Sequence, residues 1–523
     1  MTGLYLGIDV GSTSARAGLF DRTGTLRGVG REGFETWTDG PRVEQSSSDI
    51  WRAVGGAVRA ALAEAGAQPN DVRGVGFDAA CSMVVLDREG RPVSVGDHPE
   101  RDVIVWMDQR AVDQAHRING GDHAVLRYVG GRISPEMQTP KLLWLREQRP
   151  QSYGRAAHFF DLADFLTFRA TGNATRSLCT LTCKWTYLAH EDRFDPGYFQ
   201  DIGLGDLAAD GFARIGSHAV RPGTPIGGGL ANDAAAHLGL VPGTPVAAGL
   251  IDAHAGGLGT VGAPGGSPTE RMAYVFGTSA CTMSSSAQPV FVPGVWGPYH
   301  SAMIPGLWLN EGGQSAAGAA IDRLIEGHPA RDEAQALAGN ASLTAWLADE
   351  AARRAPDDPS ALAGELIVVP DFLGNRAPFA DPSRRAVIAG LGMEMGVNAL
   401  LALYVAGLCG IGYGLRQIIA AQGEQGLNVN EIVVSGGAGS DPTVRRILAD
   451  SAAVAIATPE TSEPVLLGAA ILGTLACGDQ PHAKNAAAAM SRIQSRLEPA
   501  PSIAARHERS FDRFCRLQAA AST

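Results

Sequence analysis

The sequence predicts an α/β protein built in two halves. Three observations carry that expectation. Strand-like and helix-like segments alternate along the chain. A strand–turn–strand unit at the amino end returns after residue 271. The length of 523 residues exceeds the size at which one hydrophobic core stops growing.

The elements follow in order. In LYLGIDVGSTSARAGLFD, Leu4, Leu6 and Ile8 alternate, Gly11-Ser12-Thr13 punctuate, and Ala15, Ala17 and Leu19 alternate again, which reads as two strands around a turn. Residues 48–66 read as a helix, with Ser48 as N-cap, an apolar stripe of Ile50, Trp51, Val54, Val58 and Leu62, and Gly66 as the stop. Residues 73–87 read as strand, turn, strand, and 155–171 as a helix. In the second half, 272–284 repeats the opening design, with GTSA (Gly277 to Ala280) echoing GSTSA (Gly11 to Ala15). Further on, EIVVSGGAGSDPTVRRILAD reads as strand, Gly-rich turn and helix, with Asp441-Pro442 starting the helix. EPVLLGAAILGTLACG reads as a buried small-residue helix. The boundary between halves (1–258 and 259–523) is expected in the Gly-rich AGGLGTVGAPGG.

Composition removes several classes. Apolar residues make up 45% and charged residues 19%, which is globular and not disordered. A formal charge of −11 argues against nucleic acid or an anionic membrane as partner. No run of 18 uninterrupted apolar residues stands out, and Met1 leads straight into TGLYLGIDVG without a secretory leader. Seven scattered cysteines read as reduced thiols of a cytoplasmic protein. Only three basic residues are Lys (141, 184 and 484), and none follows a Gly, so a Walker-type phosphate loop is absent.

Other phosphate-binding chemistry is present. Gly11, Ser12 and Thr13 form a turn whose amides and hydroxyls suit phosphate oxygens. Asp9 beside that turn would repel phosphate unless a cation such as Mg²⁺ bridged the two. Gly277, Thr278 and Ser279 offer a second such turn. Gly436 and Gly437 precede a helix start at Asp441 and suit a nucleotide.

Two phosphate-type hairpins, one per half, with a later Gly-Gly turn resemble the actin-like ATPase superfamily. Across nearly the whole chain the sequence is similar to carbohydrate kinases of the FGGY family. GIDVGSTSARAGLFD, IVWMDQRA (104–111), SPEMQTPKLLWL (134–145), GLIDAHAGGLG (249–259), VFGTSAC (275–281), NEGGQSAAGAAID (310–322) and VVSGGAGSDP (433–442) carry the likeness. DAACSMVVLD, CKWTYL and IDAHAGG are most similar to the ribulokinase-like pentulose kinases. Ala80 and Met83 depart from that subgroup's usual Thr-Cys-Ser-Leu-Val.

The resemblance implies two ribonuclease-H-like domains flanking a cleft, the first mainly for sugar and the second mainly for ATP. It implies ATP and Mg²⁺ as cofactors, Asp9 as metal ligand, and Asp252 as the general base toward a sugar hydroxyl. Ala80, Cys81, Asp108, Lys184 and Glu311 would line the sugar, and Gly318, Asp322 and Asp441 the adenine side. Lys184 also stands out without the family: in a chain that prefers Arg, a compact point charge with three donors suits a sugar oxygen. Cys81 is expected to act by shape. Lys141 reads as part of a helix start, Lys484 as exposed, and His254 as a packed or hydrogen-bonded residue; Trp106 and Trp185 read as core more often than as packing on the sugar. The expected reaction is phosphorylation of the 5-hydroxyl of a pentulose, D-ribulose first, with L-ribulose, D-xylulose and ribitol open. An actin-like nucleotide switch and a sugar-binding regulator without catalysis remain as other classes. The resemblance also allows a homodimer.

Overall fold

A computed structural model describes residues 3–521. Met1 and Thr2, which open the segment read above as leaderless, and Ser522 and Thr523 lie outside the described residues.

The first half is organised by a five-stranded sheet. Its hairpin is β1 (Leu4–Val10) and β2 (Ser14–Phe20), antiparallel, with β3 (Leu26–Gly33) antiparallel to β2. Helix α1 (Ser47–Ala65) packs on this meander and ends where Gly66 turns left-handed at φ 60°. Ser46, and not Ser48, is its N-cap residue; Ser47 already lies in the helix. Strand β4 (Val72–Ala79) then runs parallel to β1. The strand Met83–Leu86 that follows does not fold back on β4 as a hairpin; it joins a separate five-stranded sheet with His158–Asp161. That last strand interrupts the helix expected over 155–171, whose helical part is Leu162–Thr171. The run HFFD is aromatic and buried, so sheet pairing outweighs helix propensity there. Helices α2 (Gln138–Gln148) and α3 (Leu178–Lys184) follow, and β5 (Leu250–Ile251) completes the first sheet parallel to β4.

The chain crosses to its second half through helix α4 (Asp252–Val261). The Gly-rich segment in which the boundary is expected is helical as far as Val261. Strands β6 (Arg271–Phe276) and β7 (Ala280–Ser286) form the second hairpin, and β8 (Trp308–Gln314) pairs antiparallel with β7. After α5 (Gly318–Glu326) and the long α6 (Val397–Glu424), β9 (Glu431–Ser435) lies parallel to β6. Helix α7 (Pro442–Ala452) then leads to β10 (Ala455–Pro459), parallel to β9. The order β3-β2-β1-β4-β5 and its pairing senses recur as β8-β7-β6-β9-β10. The short GSTSA/GTSA echo therefore marks duplication of a whole sheet. Helix α6 is long and apolar enough to cross a membrane by length and composition, but most of it is buried in the core of the second half.

Helix α8 (Pro464–Ala476) comes from the far end of the chain and packs on the first sheet and on α4. Glycines permit this. A Cβ on Gly7 would stand 2.0 Å from the Leu466 carbonyl oxygen, and one on Gly76 1.9 Å from that of Ala469. On the other side, a Cβ on Gly259 would stand 2.1 Å from the Pro464 oxygen, and one on Gly468 1.9 Å from that of Ala255. Backbone meets backbone on both faces of α8. Gly468→Ala should lower unfolding free energy by about 1–3 kcal/mol, the usual cost of overpacking. A urea or thermal melt checks this, and an unchanged midpoint contradicts the close contact.

Candidate active site

Parallel pairing sets the first feature of the site. Asp9 on β1 sits in register with Asp78 on β4, and Leu250 on β5 is the partner of Asp78 on its other side. Asp252 follows two residues later as the first residue of α4. Three adjacent parallel strands thus carry carboxylates to one edge. Arg16 on β2, opposite Asp9 in the hairpin, binds the Asp9 carboxylate at 2.6 Å and reaches Glu463, at the start of α8, at 2.9 Å. Asp78 is fully buried, and neither of its oxygens has a hydrogen-bond partner among the described residues. Burial and the neighbouring Asp9 push its pKa well above the ordinary 3.8. Asp252 is half-buried; burial and Asp9 raise it to about 6.

The turns beside these strands repeat one another. The Gly11 N–H donates to the Ser14 carbonyl at 3.1 Å, and that of Gly277 to Ser279 at 2.9 Å. The amides of Ser12 and Thr13, and of Thr278 and Ser279, have no protein acceptor among the described residues. Gly318 opens α5 against the second turn, donating to the Gly277 carbonyl at 2.9 Å; a Cβ there would lie 2.8 Å from that oxygen. A cavity of about 570 Å³ lies behind, lined by Gly277, Thr278, Gly318, Asp322, Gly437 and Asp441 together with Ile321, Tyr404, Leu408 and Val444. Six of the eight second-half residues expected at the nucleotide, all but Ser279 and Gly436, line this one space. Gly436 shapes its wall: it turns at φ 94°, with the Phe276 backbone where a Cβ would stand. Asp441 caps α7, accepting from Thr443 and Val444 at 2.8 and 3.0 Å.

On the first-half side, Lys184 ends α3 and is 5% exposed. Its ammonium stands 4.9 Å from the Trp296 ring centre. Burial opposes its charge, but Glu311 and other neighbours outweigh that, so Lys184 stays protonated. Glu311 lies on β8 of the other half; burial opposes its charge too, yet Lys184, His254 and Arg376 hold it down at about 2. Ala80 and Cys81 follow β4, both buried, and burial lifts the Cys81 thiol to about 12. A neutral thiol fits a role in shape and not in nucleophilic attack.

Residues from the two halves therefore present a buried cation, a buried anion and a carboxylate of raised pKa beside two phosphate-type turns and a nucleotide-sized cavity. Comparison with known proteins agrees along the chain. The FGGY family of carbohydrate kinases matches with its N-terminal domain over residues 4–259 and its C-terminal domain over 272–477. The chain belongs to the FGGY family of carbohydrate kinases. Among its relatives, an "FGGY carbohydrate kinase domain-containing protein" of Homo sapiens is 42% identical, covering 98% of this chain and 96% of that one. A D-ribulokinase of Saccharomyces cerevisiae is 34% identical over 91% of this chain and 72% of its own length. The crystal structure of a ligand-bound xylulose kinase from Lactobacillus acidophilus superposes with a TM-score of 0.83 at 19% identity, covering 100% of this chain and 99% of that one. The two-domain FGGY fold and membership among ribulokinase-like phosphotransferases thus stand.

Within this kinase one expected sugar ligand has another task. Asp108 is fully buried, and its two oxygens already accept four hydrogen bonds: from the Arg110 amide and Nε at 2.9 and 2.8 Å, the Val43 amide at 2.6 Å, and Arg110 Nη2 at 2.8 Å. No lone pair is left for a hydroxyl. Lys141 spends its three protons on the carbonyls of Val105, Trp106 and Glu136, so both residues fix the 104–111 loop. That loop holds Trp106, whose indole N–H donates to Ser12 at 3.1 Å; Trp185 is buried core, and Lys484 is exposed. Sequence reading missed Asp78, Trp296 and Arg376. Asp78 was open to detection, since GVGFD ends a strand on Asp as GID does. Arg376 was not, since only the fold brings its guanidinium 3.7 Å from the Cys281 sulfur.

Asp108→Ala should cost about 3–5 kcal/mol of stability, the range for leaving a buried ion-pair partner alone. Chemical denaturation checks it. Asp78 gives a second test. Its raised native pKa means that the folded state holds a proton that the unfolded state releases above about pH 4, so this residue costs stability as pH rises. Without divalent cations, Asp78→Asn should melt higher than the wild type above about pH 5, with a gap that widens toward neutral pH. A lower melting temperature at pH 7 would contradict this.

Proposed function

We propose that this kinase transfers the terminal phosphoryl group of ATP to the 5-hydroxyl of a pentulose, D-ribulose being the first choice. The observation that carries the reading is the trio Lys184, Asp252 and Glu311, brought from α3, α4 and β8 to one place. The D-ribulokinase named among the relatives supports the choice of sugar. Lys184 donates to the ketose oxygens, and Glu311 accepts from hydroxyls. Asp252 takes the proton of the attacking hydroxyl, and its pKa of about 6 keeps it mostly ionised at neutral pH, close enough to accept a proton. The free amides of the two turns hold phosphate oxygens, and the cavity beside α5 and α7 takes the adenosine end.

The orphaned Asp78 carboxyl beside Asp9 is what a hard cation would complete. Asp9 and Asp78 are the residues to hold Mg²⁺, which supplies charge neutralisation at the phosphates when bound. Asp252 stays available for its proton.

The test is a coupled ADP-release assay with ATP, Mg²⁺ and a panel of D-ribulose, L-ribulose, D-xylulose and ribitol. D-ribulose is expected to give the highest kcat/KM; no stimulation by any of the four would overturn the reading, and sugar-independent ADP release would favour a nucleotide switch. Asp252→Asn should keep sugar binding and lose more than about a hundredfold in kcat. The pH profile has a fixed sign: a base works deprotonated, so kcat/KM for sugar should rise with pH through the acid range and then level off. A kcat/KM that falls as the pH rises through the acid range would contradict the assignment.

A further inference from the structure

Two cysteines and a histidine far apart in sequence meet behind the sugar ligands. Cys179 and Cys183 lie one helical turn apart on α3, the helix that ends at Lys184. Its N-cap Ser177 accepts from the Cys179 amide at 3.2 Å and donates to the Gly249 carbonyl at 2.7 Å, which ties α3 to the chain entering β5. His254 stands in the first turn of α4, two residues after Asp252, and is fully buried. Its Nδ1 lies 3.1 Å from the Cys179 sulfur and 4.0 Å from that of Cys183; its Nε2 lies 3.1 Å from Glu311 Oε2. The Ile251 amide donates to the Cys179 sulfur at 3.3 Å. One hydrogen-bonded line therefore runs from the helix of Lys184, through the helix of Asp252, to the strand of Glu311 in the other half.

We propose that His254, set in orientation by Cys179, is a positioning residue that aims Glu311 at the sugar. The proposal rests on the pentulose-kinase reading of the site. The chemistry of the line leaves one polarity. An ionised carboxylate only accepts, so Nε2 must carry the proton shared with Glu311. Nδ1 then accepts from the Cys179 thiol, or donates to its thiolate if the ring is charged; in both states Nε2 donates to Glu311. Burial disfavours each charge, yet Cys183 and His254 beside the Cys179 sulfur push its thiol down, and Cys179 and Glu311 beside the ring push His254 up. The consequence lies at Glu311. With Oε2 taken by His254, Oε1 is left to meet a sugar hydroxyl. Without that tether the carboxylate is free to turn to Lys184, and the two sugar ligands then neutralise each other.

The test uses the full-length enzyme and five variants, with KM and kcat measured for D-ribulose and ATP. A Gln side chain carries its amide near the place of Nε2, while Asn reaches only near Nδ1. His254→Leu and His254→Asn should raise the sugar KM about tenfold or more, the scale of a hydrogen bond to a charged group, with ATP KM changed less than about twofold. His254→Gln should recover most of that loss. Cys179→Ser, which keeps a donor and acceptor, should fall near the wild type, and Cys179→Ala below it. Thermal melts confirm that each variant is folded. An unchanged sugar KM in His254→Leu, or equal losses in the Gln and Asn variants, overturns the proposal. Stoichiometric zinc in the purified enzyme that Cys179→Ser removes also overturns it, because the line would then be a metal site. A wild type inactive on every pentulose strikes the kinase reading alone. The relay is then decided by the ¹⁵N shifts of the His254 ring: a protonated Nε2 that moves in Glu311→Gln supports it, and one that does not move overturns it.

Discussion

The site depends on how closely α8 can lie against β1, β4 and α4. The helix touches the first sheet through Gly7 and Gly76, and α4 through Gly259 and its own Gly468, with no side chain between the backbones. That contact sets the distance between the sheet that carries Asp9 and Asp78 and the helix that begins with Asp252. Glu463, at the start of α8, extends the same constraint into chemistry, because it shares Arg16 with Asp9. A strand end, a hairpin and a helix from opposite ends of the chain are thereby locked around one set of carboxylates. Glycine thus brings backbones together here as well as making turns.

The carboxylates oppose one another. Asp78 has no partner, and Asp9 has one cation for two acidic neighbours. Such crowding is unfavourable for folding and is kept where function needs it. On the proposed function it serves two ends. Asp252 is pushed into the range where a carboxylate can take and release a proton, and Asp78 is left ready for a cation. Both follow from the in-register parallel pairing of β1, β4 and β5.

Much of this was legible in the sequence, for identifiable reasons. Both hairpins, the GGAGSDP turn and α8 are local: their strands alternate, their turns carry Gly, Ser and Thr, and their caps stand in sequence. Most of the residues that line the second-half cavity were legible because they sit on those turns or open a helix beside them. Misreadings arose where distant contacts decide. HFFD at 158–161 is a strand because a sheet edge waits for it. Asp108 looked like a sugar ligand because its motif cannot show that Arg110 and the Val43 amide exhaust its lone pairs. Cys179, Cys183 and His254 looked inert because no spacing rule joins residues 75 apart that meet only in the fold.

The division of the site between the halves has a kinetic consequence on the proposed function. The cavity that takes the nucleotide is lined entirely by residues between Phe276 and Val444, so the second half can build it alone. The sugar set cannot be built by either half: Lys184 and Asp252 come from α3 and α4, and Glu311 from β8. A nucleotide held before the halves meet has no ordered acceptor beside Asp252, and water reaching that carboxylate has no positioned partner to orient it. A sugar that binds both Lys184 and Glu311 bridges the two halves and holds them in this arrangement, and in doing so replaces the water around Asp252. The His254–Glu311 contact spans the same boundary, so the proton acceptor and the sugar carboxylate approach as one unit. Selection of pentulose over water then needs no lid beyond the two halves, since the acceptor hydroxyl itself completes the arrangement in which transfer can occur.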